Sequence, residues 1–107
     1  MINITDFTKV EIRIGKILSA ERIEGSEKLL KLSIDLGEAL PRQILSGVAK
    51  AVSDPMELVG KMVPIVANLE PRMMMGMESN GMMLCADSEL PVFIHPATEV
   101  APGSLVK

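Results

Sequence analysis

The chain is poor in aromatic side chains. Its 107 residues hold no tryptophan, no tyrosine and two phenylalanines, Phe7 and Phe93. Proteins that hold single-stranded nucleic acid usually stack bases on aromatic rings. No such platform can be built here, which excludes recognition by aromatic stacking. Histidine and cysteine are as scarce, with His95 and Cys85 the only ones. A structural zinc site takes about four such ligands, so none is expected. A lone cysteine excludes a disulfide framework and fits a cytoplasmic setting. Neither G-x-G-x-x-G nor a P-loop occurs, so no nucleotide cofactor is expected. The opening MINITDFTKVEI lacks a basic-then-apolar signal pattern, and no apolar run nears the ~20 residues of a membrane span.

An excess of positive charge is missing too. The net charge is −3, the wrong sign for a generic polyanion binder. The distribution is uneven. Residues 1–50 carry eight Lys/Arg and seven Asp/Glu, and residues 51–107 carry three and seven. An anion-binding surface must therefore draw on the first half and on Arg72.

Hydrophobic residues are plentiful, at 48%. A chain of 11.6 kDa folds to a single domain, here residues 1–107, with roughly 5,800 Å² of accessible surface. So apolar a chain of this size has surface to spare, and a homo-oligomer buries it. With two phenylalanines, branched aliphatics and methionine must fill the core.

The rhythm is one of short apolar runs between turn residues, as in a small β barrel or sandwich. Val10 to Ile14 alternates apolar and charged residues, and the phase breaks at Gly15, which reads as a bulge or bend. Leu30, Leu32, Ile34 and Leu36 face one way and Lys31, Ser33 and Asp35 the other. Arg42–Ser46 is a third strand. Ser53–Gly60, with an Asp or Ser cap, Pro55 and a closing Gly, predicts a short helix. Lys61–Leu69 follows as a strand, with Pro64 marking an edge or a strand start. Met73–Met77 and Met82–Ala86 flank Asn80-Gly81, a hairpin signal. Leu90–Ile94 is the last strand, before a tail ending in residues 104–107. Strand, strand, strand, short helix, strand, strand is the order of an OB barrel. The expected fold is all-β: an OB-type five-stranded barrel with one short helix and a C-terminal extension.

Nothing here assembles a nucleophile, a base and an orienting group. His95, before Pro96, reads as a turn histidine, and Cys85 as a small residue in an apolar strand. Neither catalytic nor metal-ligating residues are expected. Six methionines fall between Met73 and Met83. They suit core or interface packing, an apolar partner-binding surface, or soft coordination of Cu(I).

The motifs taken together resemble a known family. Asp6-Phe7, Lys9-Val10 and Ile12-Arg13-Ile14-Gly15 are similar to the opening of the C-terminal tRNA-binding domain of methionyl-tRNA synthetase. Ile23-Glu24-Gly25-Ser26-Glu27-Lys28-Leu29-Leu30 continues the likeness, with Glu27 where the family has Asp. Asp35-Leu36-Gly37, Arg42–Gly47, Leu58–Lys61, Ala67–Arg72, Glu78–Met82 and Pro102-Gly103 follow in order. The resemblance implies a homodimer that binds tRNA by its overall shape and assists the synthetase catalytic chain in cis or in trans. It points to Lys28, Lys31, Arg42 and Arg72 as phosphate contacts. Asn68 and Ser79 would bond to sugar or base edges, although Asn68 could instead tie down its own loop. Lys28 and Arg42 also read as plain solvated charges. After Arg72 the family carries Lys and then Arg where this chain has Met73 and Met75, which predicts weaker RNA binding. The alternative is a protein-interaction or chaperone-like module that uses the Met-rich hairpin.

Overall fold

The computed structural model describes all 107 residues. A short helix α1 (Ile4–Phe7), capped by the Asn3 side chain, leads into β1 (Ile12–Arg22). Strands β2 (Leu30–Asp35) and β3 (Arg42–Ser46) follow as an antiparallel meander. Two 3-10 turns, Ala49–Ala51 and Pro55–Leu58, lead to β4 (Met62–Val66). Next come β5 (Arg72–Met74), β6 (Met77–Ser79) and β7 (Met82–Met83). Short pairs complete the chain: β8 (Cys85–Ala86) with β9 (Val92–Phe93), and β10 (Leu105–Val106) against the start of β1. The barrel order is β3-β2-β1-β4-β7. Closure between β3 and the segment before β7 comes from single bonds, not a ladder: Asn80 N donates to Gln43 O at 2.8 Å, and Leu45 N to Ser79 Oγ at 3.0 Å. This is the OB-type barrel that the element order implied. No helix is long and apolar enough to cross a membrane.

The core lies inside the barrel and follows the strand alternation. Ile17, Leu30, Leu32, Ile34, Ile44, Val63 and Ile65 are fully buried. Asp54 caps the predicted short helix, accepting from Met56 N, and Pro55 opens it. It is a 3-10 helix of four residues.

Five details differ from the sequence reading. β1 does not break at Gly15 but runs on to Arg22, and its register shifts between Ile17 and Ser19. Gly15 serves close crossing instead: a Cβ there would lie 2.4 Å from Ile34 Cγ2. Pro64 is inside β4, a strand flanked on both sides. The position is tolerated because its partner Ile14 turns its own N–H and carbonyl away, to Ser104 O and Gly103 N. The hairpin turns at Met75-Gly76, with φ 53° and 75°, so that Arg72 pairs with Ser79 and Met74 with Met77. Positive φ at both turn residues is what a two-residue turn between twisted strands requires. Gly81 instead lets the chain pass close to the barrel, where a Cβ would sit 3.2 Å from Val66 O. The last apolar run forms only β9, and α1 has no counterpart in the apolar pattern.

Candidate nucleic-acid interface

Strand parity builds one face of the barrel. Lys31 is paired with Leu45 across β2 and β3, and both point away from the core residues Leu32 and Ile44. Leu45 is nevertheless buried, at 4% exposure. The cover is the β5–β6 hairpin, which folds over β3. Gln43 Nε2 donates to Glu78 O at 3.0 Å beside the Leu45–Ser79 bond. The tip reaches the β1–β2 loop, where a Cβ on Gly25 would lie 3.6 Å from the Met75 methyl.

Between hairpin and barrel runs a groove of about 570 Å³. Leu29, Leu45, Leu69 and, from β7, Met82 line it on the barrel side, and Met74 of the hairpin faces them, with Arg72 and Glu70 also in the lining. Met74 and Met82 belong to the methionine cluster noted in the sequence, whereas Leu29, Leu45 and Leu69 were not singled out as site residues. The available signal was Ile44-Leu45: adjacent apolar residues in a strand mean that both faces are covered.

The six predicted contacts separate into two groups. Lys28, Lys31 and Arg72 gather here. Lys28 is exposed and directly precedes Leu29, and Arg72 is exposed and lines the groove. Lys31 stands beside Leu45, its Nζ 3.5 Å from Glu21. The four ion pairs of the chain include neither Lys28 nor Arg72. Both cations are therefore without a carboxylate partner.

The other three have structural partners. Arg42 lies opposite Ile34, on the inner side of β3, at the barrel end. It holds Glu38 through two bonds of 2.8 and 2.9 Å and donates to Ala67 O and Asn80 O. The hydrogen bond from Arg42 keeps the Glu38 carboxyl below its ordinary range. The small stabilisation this pair provides is thus present above the usual carboxylate pKa and fades as the pH falls through the lowered value. Asn68 clamps the chain entering β1. Its Oδ1 accepts from Glu11 N at 2.8 Å and its Nδ2 donates to Lys9 O at 2.7 Å. Ser79 is 3% exposed, accepts from Leu45 N and donates to Gly81 O. Ser79→Ala should thus lower stability by about 1–3 kcal/mol, the range for stranding a buried partner. A denaturant midpoint that does not move would instead leave the hydroxyl free for a ligand.

Cys85 and His95 line separate depressions. Desolvation pushes the Cys85 thiol up, and His95 Nδ1 is 2.7 Å from Met62 O. Of the methionines, Met73, Met75 and Met82 are exposed, Met74 and Met77 are half-buried, and Met83 is in the core.

Residues 12–105 match the family described as "Putative tRNA binding domain". The chain belongs to this tRNA-binding domain family. It is 51% identical over 106 residues to the methionine–tRNA ligase of Methanocella arvoryzae, covering 99% of this chain and 15% of that ligase. The chain thus spans only a small part of such curated relatives. Two solved structures superpose over all of it. A MetRS-related protein from Pyrococcus horikoshii gives a TM-score of 0.91 at 34% identity, with 98% of that chain covered. The chaperone CsaA from Bacillus anthracis gives 0.90 at 28%, with 99% covered. One barrel thus serves proteins named for different tasks.

Proposed function

We propose that the chain is a non-catalytic homodimeric module that binds tRNA by its folded shape and assists methionine–tRNA ligase, in cis or in trans. The observation that carries this reading is the gathering of Lys28, Lys31 and Arg72 around one groove, in a chain of this family. Shape recognition rests on phosphate and 2′-OH contacts and needs no aromatic rings. It therefore suits an acidic chain with three cations on one face. Asn68, Ser79 and Arg42, occupied within the fold, leave the contact set.

Three phosphate contacts per protomer give a definite test. The logarithm of the tRNA association constant should fall with the logarithm of salt concentration at a slope of about two to three per engaged protomer. Absence of binding at low salt by a folded dimer would overturn the proposal.

The surface supports the dimer. Accessible area is 6907 Å², against roughly 5,800 Å² for a compact monomer of this mass. Helix α1 buries no residue. Ile4, Phe7 and Val10 are exposed, as are Leu105 and Val106 at the start of β1, where β10 pairs. Introducing Ile4→Asp with Phe7→Asp should give folded monomers in sedimentation. Their apparent tRNA affinity should fall by at least tenfold as the linkage of two sites is lost. Folded dimers of that variant would place the seam elsewhere.

The chaperone-like reading draws on the exposed Met73, Met75 and Met82 and on the likeness to CsaA. It predicts capture of an unfolded apolar chain at salt concentrations that release tRNA.

A further inference from the structure

We propose that the groove beneath the β5–β6 hairpin takes one unstacked base of the bound RNA, held between thioether and aliphatic side chains. This rests on the tRNA-binding reading and names the part of the RNA that enters. The groove is about 570 Å³ and open at its margin, with room for a base and part of its ribose. Met74 of the hairpin and Met82 of the barrel strand β7 both line it, together with Leu29 and Leu69. Thioether sulfur makes favourable contact with an aromatic ring at ~5 Å, mostly at the ring edge. The protein has almost no rings to offer, so here the RNA supplies the ring and methionine the partner. The shortage of aromatic residues rules out ring-on-ring stacking but leaves this contact open.

The polar groups fit the same occupant. Ser46, half-buried in the groove, meets the hydrogen-bonding edge of a base. Arg72 at the margin and Lys28 beside Leu29 meet the flanking phosphates. Glu70 also lines the groove, and its charge keeps phosphate out of the apolar part. Flexible methionine walls accept any base, which matches recognition of an exposed nucleotide without regard to sequence.

The test uses the full chain with methyl-labelled methionine and three RNA hairpins: fully paired, with one bulged adenosine, and with an abasic bulge. Phe93 packs against the core cluster and neither phenylalanine lines the groove. An RNA-induced ring-current shift therefore reports a base. The bulged-adenosine hairpin should shift the Met74 and Met82 methyls and leave exposed Met56 unmoved. It should bind about five- to tenfold tighter than the abasic one, as a sulfur–ring contact plus burial implies. Met74→Ala should erase that difference without changing the abasic affinity. Equal affinities with unmoved methyls overturn the inference and leave the phosphate reading standing. A leucine-rich peptide that shifts both methyls when the adenosine hairpin does not would assign the groove to protein and also overturn it. Failure of all three hairpins and of tRNA to bind removes the parent reading, and this inference with it.

Discussion

Gly103→Ala is expected to destabilise the fold by about 3 kcal/mol, or a melting temperature lower by roughly 12–24 °C. Two effects combine. Gly103 has φ 91°, where an alanine loses about 1–2 kcal/mol. Its Cβ would also lie 2.3 Å from Leu36 O, a backbone atom, and such overpacking costs about 1–3 kcal/mol. The position cannot yield easily. Gly103 N donates to Ile14 O at 2.7 Å, and Gly103 O accepts from Arg13 Nη1 at 2.7 Å. Opposite it, a Cβ on Gly37 would meet Pro102 O at 2.6 Å, so the two glycines admit each other's backbones. Gly60→Ala separates the two terms, because Gly60 has φ 88° and nothing within 4 Å of its Cβ position. It should cost only the backbone term. Equal denaturant midpoints for the two variants would mean that the close approach carries no energy.

The second large effect is on RNA. Removing Lys28, Lys31 and Arg72 together, each to alanine, should weaken tRNA binding by about a hundredfold at low salt, at roughly 1 kcal/mol per contact. The salt slope should flatten by about two to three. None of the three side chains is in the core, so thermal stability should hold. Arg42→Ala should do the reverse. It breaks the bonds to Glu38, Ala67 and Asn80, lowering stability with little change in slope. A triple variant with an unaltered slope, or an Arg42 variant that flattens it, would return the interface to the barrel end.

Much of the barrel could be read from the chain because alternation is unambiguous where one face is dry. Leu30-Lys31-Leu32-Ser33-Ile34 has one reading, and it holds. So does the Asp54-Pro55 start of the short helix. The hairpin was misplaced because Asn80-Gly81 is a stronger local turn signal than Met75-Gly76. Closure of the barrel at Asn80 outweighs that preference. The candidate site was partly legible. Lys28, Lys31 and Arg72 stand where charge in a strand or loop had to face outward. Arg42 is different, since two-residue spacing from Ile44 already put it on the core side. Asn68 and Ser79 were recognisable as polar residues with a task, but their partners are 57 and 34 residues distant in sequence. Such partners are set by tertiary closure alone.

The β5–β6 hairpin contributes no residue to the core cluster, and Ser79 is its one buried residue. Its other five strand positions can thus mutate at little cost to folding. A lineage can rewrite the wall of the groove while the barrel stays intact, so ligand preference drifts independently of the scaffold. Diversification of this kind needs no intermediate that fails to fold.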